Sequence, residues 1–232
     1  RLLLHSGDLG GYMPLRQSIA AYLGAVRGLR CSPDQIMITS GAQQALDLIS
    51  RTIIDPGDDV WVENPGYAGM RATLVAAGAR LRHVPVDDQG ISVEAGRRQS
   101  PNAVLAAVTP SHQFPLGITM SLARRLELLD WAAEANAWIL EDDYDSEFRY
   151  GGKPVSALQG LDDRGRVIYV GTFSKVLFPS LRLGYVVVPE QLLAPFMDMR
   201  ASIDDHPALA LQPVLHTFFD EGHFASPIRK QR

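Results

Sequence analysis

Short apolar runs alternate along this chain with longer stretches in which apolar positions recur every three or four residues. Leu15, Ile19, Tyr22, Leu23 and Val26 fall on one face at helical spacing, and Gly28 follows where a left-handed residue commonly ends a helix. Residues 36–39 read as a short buried strand running into Ser40-Gly41, and 42–54 read as a helix. The next strand is expected at 60–62, then a helix over 67–77 stopped by Gly78, then strands at 81–86 and 104–109. Ser121 can N-cap a helix reaching about Asn136, after which residues 137–140 form a strand that runs into Glu141-Asp142-Asp143. Residues 167–172 and 183–188 are the last strands expected, with helices near 191–203 and 207–221. No internal repeat and no low-complexity linker breaks the alternation.

Short apolar strands separated by helices imply βαβ units. The expected fold class is therefore α/β, three layers deep (α/β/α), around a mostly parallel sheet covered on both faces. Ligands of such sheets bind beyond the carboxyl ends of the strands. The segments at those ends are Ser40-Gly41-Ala42-Gln43, Thr109-Pro110-Ser111-His112-Gln113, Glu141-Asp142-Asp143-Tyr144 and Thr172-Phe173-Ser174-Lys175. All four are rich in polar side chains, and together they can line one crevice.

Composition narrows the function classes. The 232 residues are 46% hydrophobic and 21% charged, an ordinary globular balance, and the net charge of −4 gives this segment no electrostatic case for binding nucleic acid. No run approaches the roughly 20 apolar residues of a membrane helix, and no secretory leader opens the chain. Cys31, the only cysteine, allows neither an internal disulfide nor a cysteine-based metal site, and a reducing cytoplasm fits that usage. The chain opens at Arg1 without a methionine and closes on the basic run Ile228-Arg229-Lys230-Gln231-Arg232, so a piece of a longer protein is expected.

Four candidate groups carry chemistry. Lys175 lies between apolar runs and is expected to be partly desolvated; burial and a cation such as Arg182 favour the neutral amine that attacks an aldehyde. The plainer alternative is a lysine whose stem packs and whose head reaches water. Asp142 and Tyr144 are two apart in an extended segment and face one side. A carboxylate and a phenol so placed suit the protonated ring nitrogen and ring oxygen of pyridoxal phosphate. Glu141, Asp142, Asp143 and Asp145 can equally form a hard-cation site or a solvated acidic turn. Ser40-Gly41-Ala42-Gln43 offers free backbone N–H groups at a helix start, a ready phosphate site, or simply a cap. Thr172, Ser174 and Arg182 can complete a phosphate cup, and Tyr67 can stack on a ring or pack in a turn. Neither G-x-G-x-x-G nor a Walker A lysine occurs, so dinucleotide and P-loop readings lack their fingerprints. One cofactor needs an amine, a carboxylate, a phosphate cup and a stacking ring, and all four stand at predicted strand ends.

These residues also carry a resemblance. Ser174-Lys175 followed by Arg182, within Gly171-Thr172-Phe173-Ser174-Lys175-Val176-Leu177-Phe178-Pro179-Ser180-Leu181-Arg182-Leu183-Gly184-Tyr185, resembles the lysine signature of class I aminotransferases of fold type I. Glu63-Asn64-Pro65-Gly66-Tyr67, Thr109 to Pro115 and Glu141 to Tyr150 resemble, more narrowly, the MocR/GabR family of bacterial transcriptional regulators of the GntR superfamily. In that family a winged-helix DNA-binding domain precedes an aminotransferase-like domain that binds pyridoxal phosphate, senses an effector and dimerises. The resemblance implies that 1–232 is the large cofactor-binding domain, without the winged helix and without the smaller C-terminal subdomain. It implies that Lys175 forms the Schiff base, Asp142 pairs with the pyridine nitrogen, Tyr144 with the ring hydroxyl, and Tyr67 stacks on the ring. Gly41, Ala42, Gln43, Thr172, Ser174 and Arg182 would surround the phosphate. It further implies a homodimer, an amino-compound effector or substrate, and contact with DNA only through the winged helix. Aminotransferases of this type usually carry an asparagine where Phe114 stands before Pro115, which speaks for the regulator over a free-standing aminotransferase that moves an amino group between an amino acid and a 2-oxo acid.

Overall fold

Seven strands and six helices follow directly from the apolar pattern, and the rest from how they pack. The computed structural model describes residues 7–145, 156–175 and 177–222. Ser146–Tyr150 of the acidic motif, Val176 and the basic run at 228–232 lie outside the described residues. The strands are β1 (Ile36–Thr39), β2 (Asp59–Asn64), β3 (Arg80–Asp87), β4 (Gly90–Ile91), β5 (Leu105–Val108), β6 (Trp138–Asp143), β7 (Val167–Thr172) and β8 (Gly184–Val187). The helices are α1 (Met13–Arg27), α2 (Ala42–Ile53), α3 (Ala68–Ala76), α4 (Val93–Gln99), α5 (Leu122–Glu134), α6 (Leu158–Leu161), α7 (Leu193–Ile203) and α8 (Gln212–Asp220).

The strands form one sheet in the order β1-β8-β7-β6-β5-β2-β3-β4. β3, β2, β5, β6 and β7 run parallel, while β8 is antiparallel to both β7 and β1, so β1 points the same way as β7. The carboxyl ends of six strands therefore meet along one edge of the sheet.

Alternation along the strands builds the three layers. Met37, Val60, Val62, Leu140, Ile168 and Val170 pack on one face with α2 and α7, in a cluster that includes Leu46, Ile49 and Phe196. Ile36, Ile38, Tyr169 and Val187 pack on the other with Leu15, Ile19 and Leu23 of α1. Trp61, Ala106 and Ile139 extend that second face beneath α4 and α5. Trp61 stacks on Trp131 of α5 with centroids 3.8 Å apart. Each fully buried Leu or Ile stabilises the fold by about 1.5–3 kcal/mol, so these paired layers hold the sheet flat between helices and leave its edge free for chemistry.

Three features differ from the sequence expectation. α4, α6 and the β3–β4 hairpin are additional: β4 is two residues long, α6 is a single turn, and α4 carries Gly96, against which the Trp61 ring packs (an added Cβ would lie 2.6 Å from it). β8 runs against its neighbours because the described residues between 173 and 183 hold no crossover helix, only a 3-10 turn at Pro179–Leu181. The final helix starts at Gln212, not near 207, with a proline in its first turn. Among the described residues no helix is long and apolar enough to cross a membrane.

Candidate functional site

At the carboxyl edge of the sheet lies a cavity of about 270 Å³. α2 contributes Ala42 and Gln43, the entry to α3 contributes Tyr67, and the end of β6 contributes Asp142 and Tyr144. The end of β7 brings Thr172, Ser174 and Lys175, and the turn before β8 brings Arg182. Nine of the ten residues singled out from the sequence thus face one space. Gly41, the tenth, lies just behind it as the N-cap of α2.

One end of the cavity is built for an anion. Gly41 takes φ 89°, a conformation open to glycine, and turns the chain so that the first N–H groups of α2 are free of helical partners. The Arg182 guanidinium lies over that turn: an added Cβ on Gly41 would sit 3.4 Å from its Cζ, and its Nη2 donates to the Ser40 carbonyl at 3.2 Å. Arg182 itself is left-handed at φ 49°, a backbone state that a non-glycine residue adopts at a cost. The Thr172 hydroxyl accepts from the Ser174 N–H at 3.2 Å, and the Ser174 Oγ is buried without a partner. The Gln43 side-chain amide is committed to Thr73 Oγ1 (2.5 Å) and the Gly69 carbonyl (3.3 Å), which leaves its backbone N–H as the group it offers at the helix start.

The opposite wall is acidic. Along β6 the side chains alternate, so the acidic run is split between two faces rather than gathered. Glu141 accepts from the Leu158 and Gln159 N–H groups and faces Arg125, with a carboxyl pushed up to about 7 by burial and by Asp143. Asp143 is locked to Arg27, whose Nη2 is 2.7 Å away and also reaches Ser111 Oγ, and it accepts a hydroxyl bond from Tyr169. Burial works against the Arg27 charge, but Asp143, Tyr169 and Glu141 together outweigh it and hold the guanidinium above its ordinary value. Asp142 alone turns toward the cavity. It is buried, its Oδ1 has no partner, and burial followed by the charges of Asp143, Glu63 and Asp145 pushes its pKa up to about 7. The shared-cation alternative has no support here: among the described residues no group of three or more such side chains is placed to hold a metal ion.

Tyr144 stands beside Asp142 as the two-residue spacing requires; its hydroxyl donates to the His112 carbonyl at 3.1 Å and is raised to about 12 by burial and neighbouring carboxylates. Lys175 is exposed rather than partly desolvated. The apolar run of β7 ends at Thr172, and the lysine sits in the turn beyond it, facing the open cavity and within the field of Asp145.

Two lining residues had no role assigned from the sequence. Thr109 directly follows β5, and Phe114, known only as the replacement for an asparagine, presents its ring to the cavity edge-on to Tyr67, with centroids 6.0 Å apart. The rule of strand ends pointed to their segment, but nothing in their residue types signals a ligand.

A family model for aminotransferase class I and II matches residues 2–219. A Rhizobium meliloti protein described as the probable rhizopine catabolism regulatory protein MocR is 48% identical over 222 residues, which are 96% of this chain and 45% of that protein. An uncharacterized HTH-type transcriptional regulator, YdeL of Bacillus subtilis (strain 168), is 41% identical over 99% of this chain and 49% of its own length. The chain therefore spans about half the length of these relatives. The crystal structure of Pyrococcus horikoshii kynurenine aminotransferase in complex with PMP superposes with a TM-score of 0.93 at 35% identity, covering 100% of this chain and 59% of that one. The sheet order, the strand-end cavity and the match along nearly the whole sequence agree: the chain belongs to the aminotransferase class I and II family.

Proposed function

We propose that this chain is the pyridoxal-phosphate-binding, effector-sensing domain of a MocR-type transcriptional regulator. The observation that carries the reading is that Lys175 and the partnerless carboxylate of Asp142 face one cavity whose far end is a helix N-terminus under a guanidinium. A buried carboxyl oxygen without a donor is unfavourable unless something supplies one, and a protonated ring nitrogen does. The residues present therefore fit the cofactor.

Pyridoxal phosphate supplies an aldehyde and an electron-accepting ring. The backbone N–H groups of Ala42 and Gln43, the Thr172 and Ser174 hydroxyls and Arg182 hold the phosphate, where helix dipole and guanidinium charge add. Asp142 holds a proton on the ring nitrogen, Tyr144 binds the ring oxygen, and Tyr67 covers the ring face. Lys175 would hold its amine toward the aldehyde and, when free, would act as general base at the Cα–H of a bound amino compound. The relatives' lengths and the HTH-type name of one support a longer protein with a DNA-binding unit. We propose further that a winged helix precedes this domain and a smaller subdomain follows it, in a cytoplasmic homodimer that reads an amino compound. Phe114 favours sensing over turnover, since a phenyl ring gives the ring oxygen no hydrogen bond where an asparagine would. A free-standing aminotransferase is the second reading, favoured by the superposition on one.

Titrating the full-length protein with pyridoxal phosphate, then with candidate amines, tests the reading. A visible absorbance band that appears for the wild type and is absent from Lys175→Ala supports it. Identical spectra for the two overturn the assignment of Lys175.

A further inference from the structure

Glu63 is 5% exposed at the end of β2, and no step above uses it. Its Oε2 accepts the Thr109 hydroxyl at 2.6 Å and the Gln113 Nε2 at 3.2 Å. Both donors have a second duty. Thr109 Oγ1 accepts the Phe114 N–H at 3.2 Å, while Gln113 Nε2 also donates to the Pro65 carbonyl at 2.9 Å and the Phe114 carbonyl at 2.7 Å. One carboxyl oxygen thus gathers the segment after β2, which carries Tyr67, and the segment after β5, which carries Phe114. Those two rings form a cavity wall, and each is 42% exposed, so core packing alone does not fix them.

We propose that Glu63 is a positioning residue that, through Thr109 and Gln113, holds the Phe114–Tyr67 wall against the bound cofactor ring. This rests on the cofactor reading above. The network also has a charge dependence. Burial pushes Glu63 up to about 7. The groups facing it are Thr109 and Gln113 after β5, Asp142 and Tyr144 at the end of β6, and Tyr67 and Arg71 at the start of α3. Ionised, Glu63 receives charge-assisted hydrogen bonds, which are shorter and stronger than the neutral ones left after protonation. The wall therefore tightens as pH rises through the neutral range. Glu63 Oε1 is buried without a partner beside a cavity of about 10 Å³, room for a single water at most, so no other group replaces the missing charge.

The test titrates pyridoxal phosphate into full-length wild type, Glu63→Gln, Glu63→Leu and Thr109→Val at pH 6 and pH 8. The readouts are the dissociation constant and the visible circular dichroism of the bound cofactor, which reports how rigidly the ring is held. Glu63→Leu and Thr109→Val are expected to weaken binding about tenfold and to reduce dichroism per bound cofactor. Glu63→Gln, which keeps an acceptor and cannot ionise, should show a pH 8 to pH 6 affinity ratio roughly threefold below that of the wild type. Thr109→Val is near-isosteric, so the test stands even where Glu63→Leu fails to fold. Wild-type dichroism in Thr109→Val together with a wild-type pH ratio in Glu63→Gln overturns the inference while the cofactor reading survives. A wild type with no spectral response overturns both.

Discussion

Asp142 and Asp143 are neighbours on β6 and send their carboxylates to opposite faces of the sheet, one into the cavity and the other onto Arg27 at 2.7 Å. Asp143 is paired through Oδ2 alone, which meets Arg27 and Tyr169, and its Oδ1 is buried without a partner as the Asp142 Oδ1 is. Arg27→Met should therefore leave Asp143 buried without its partner and cost about 3–5 kcal/mol, read from urea denaturation. Adding Asp143→Leu to the same protein should recover most of that loss, because two apolar side chains carry no uncompensated charge. A single variant as stable as the wild type would contradict the ion pair's role.

Asp142→Asn should separate stability from cofactor binding. The carboxyl titrates at about 7 in the folded chain, above the roughly 3.9 of an unfolded aspartate. Its contribution to stability is thus fully present below the unfolded value and is lost as pH rises through about 7. Without cofactor, wild-type stability should fall between pH 5 and pH 8. Asp142→Asn should flatten that slope and be more stable at pH 8 by on the order of 1–3 kcal/mol. Glu63 and Glu141, also near 7, keep part of the slope. Added pyridoxal phosphate should reverse the ranking, since only the ionised aspartate pairs with the ring nitrogen. Thermal denaturation across pH, with and without cofactor, checks both halves.

At Arg182 the side chain and the backbone have opposing requirements. Arg182→Gly relieves a left-handed residue, worth about 1–2 kcal/mol, but loosens the unfolded chain by about 0.4–1 kcal/mol. Unfolding free energy should stay within about 1 kcal/mol of wild type. Cofactor affinity should fall at least about tenfold with the loss of a charge-assisted contact to phosphate. Equal affinity in a titration monitored by absorbance would remove Arg182 from the phosphate cup.

Gly171 pairs with Asp143 on one side and Tyr185 on the other, and an added Cβ would run into the Tyr185 ring. Gly171→Ala should cost about 1–3 kcal/mol by overpacking and, one residue from Thr172, should weaken cofactor binding as well. A variant with unchanged denaturation and binding would show that Tyr185 moves aside freely.

The parts of the site legible in the sequence are those where an apolar run ends on polar chemistry. Asp142 and Tyr144 stand at the end of β6, and Thr172, Ser174 and Lys175 at the end of β7, so strand ends and two-residue spacing locate them without any knowledge of sheet order. Thr109 and Glu63 are different. Their contact exists because β5 lies between β2 and β6, an adjacency that no local pattern encodes. Gln43 lines the cavity, but its side-chain amide belongs to Thr73 of α3, again a consequence of helix packing. The exposure of Lys175 went the other way from expectation because flanking apolar residues describe the strand before it, not the turn in which it stands.

The hydrogen bond from Arg182 to the Ser40 carbonyl joins residues 142 positions apart in the chain. A nascent chain that has emerged only as far as α5 owns Tyr67 and the start of α2 but neither acid, amine nor guanidinium for the same ligand. β1 gains its strand partner only once β8 has inserted between it and β7. Uptake of cofactor is in this way a report that the whole topology has closed, and a translation product arrested anywhere before Arg182 has no means of giving it.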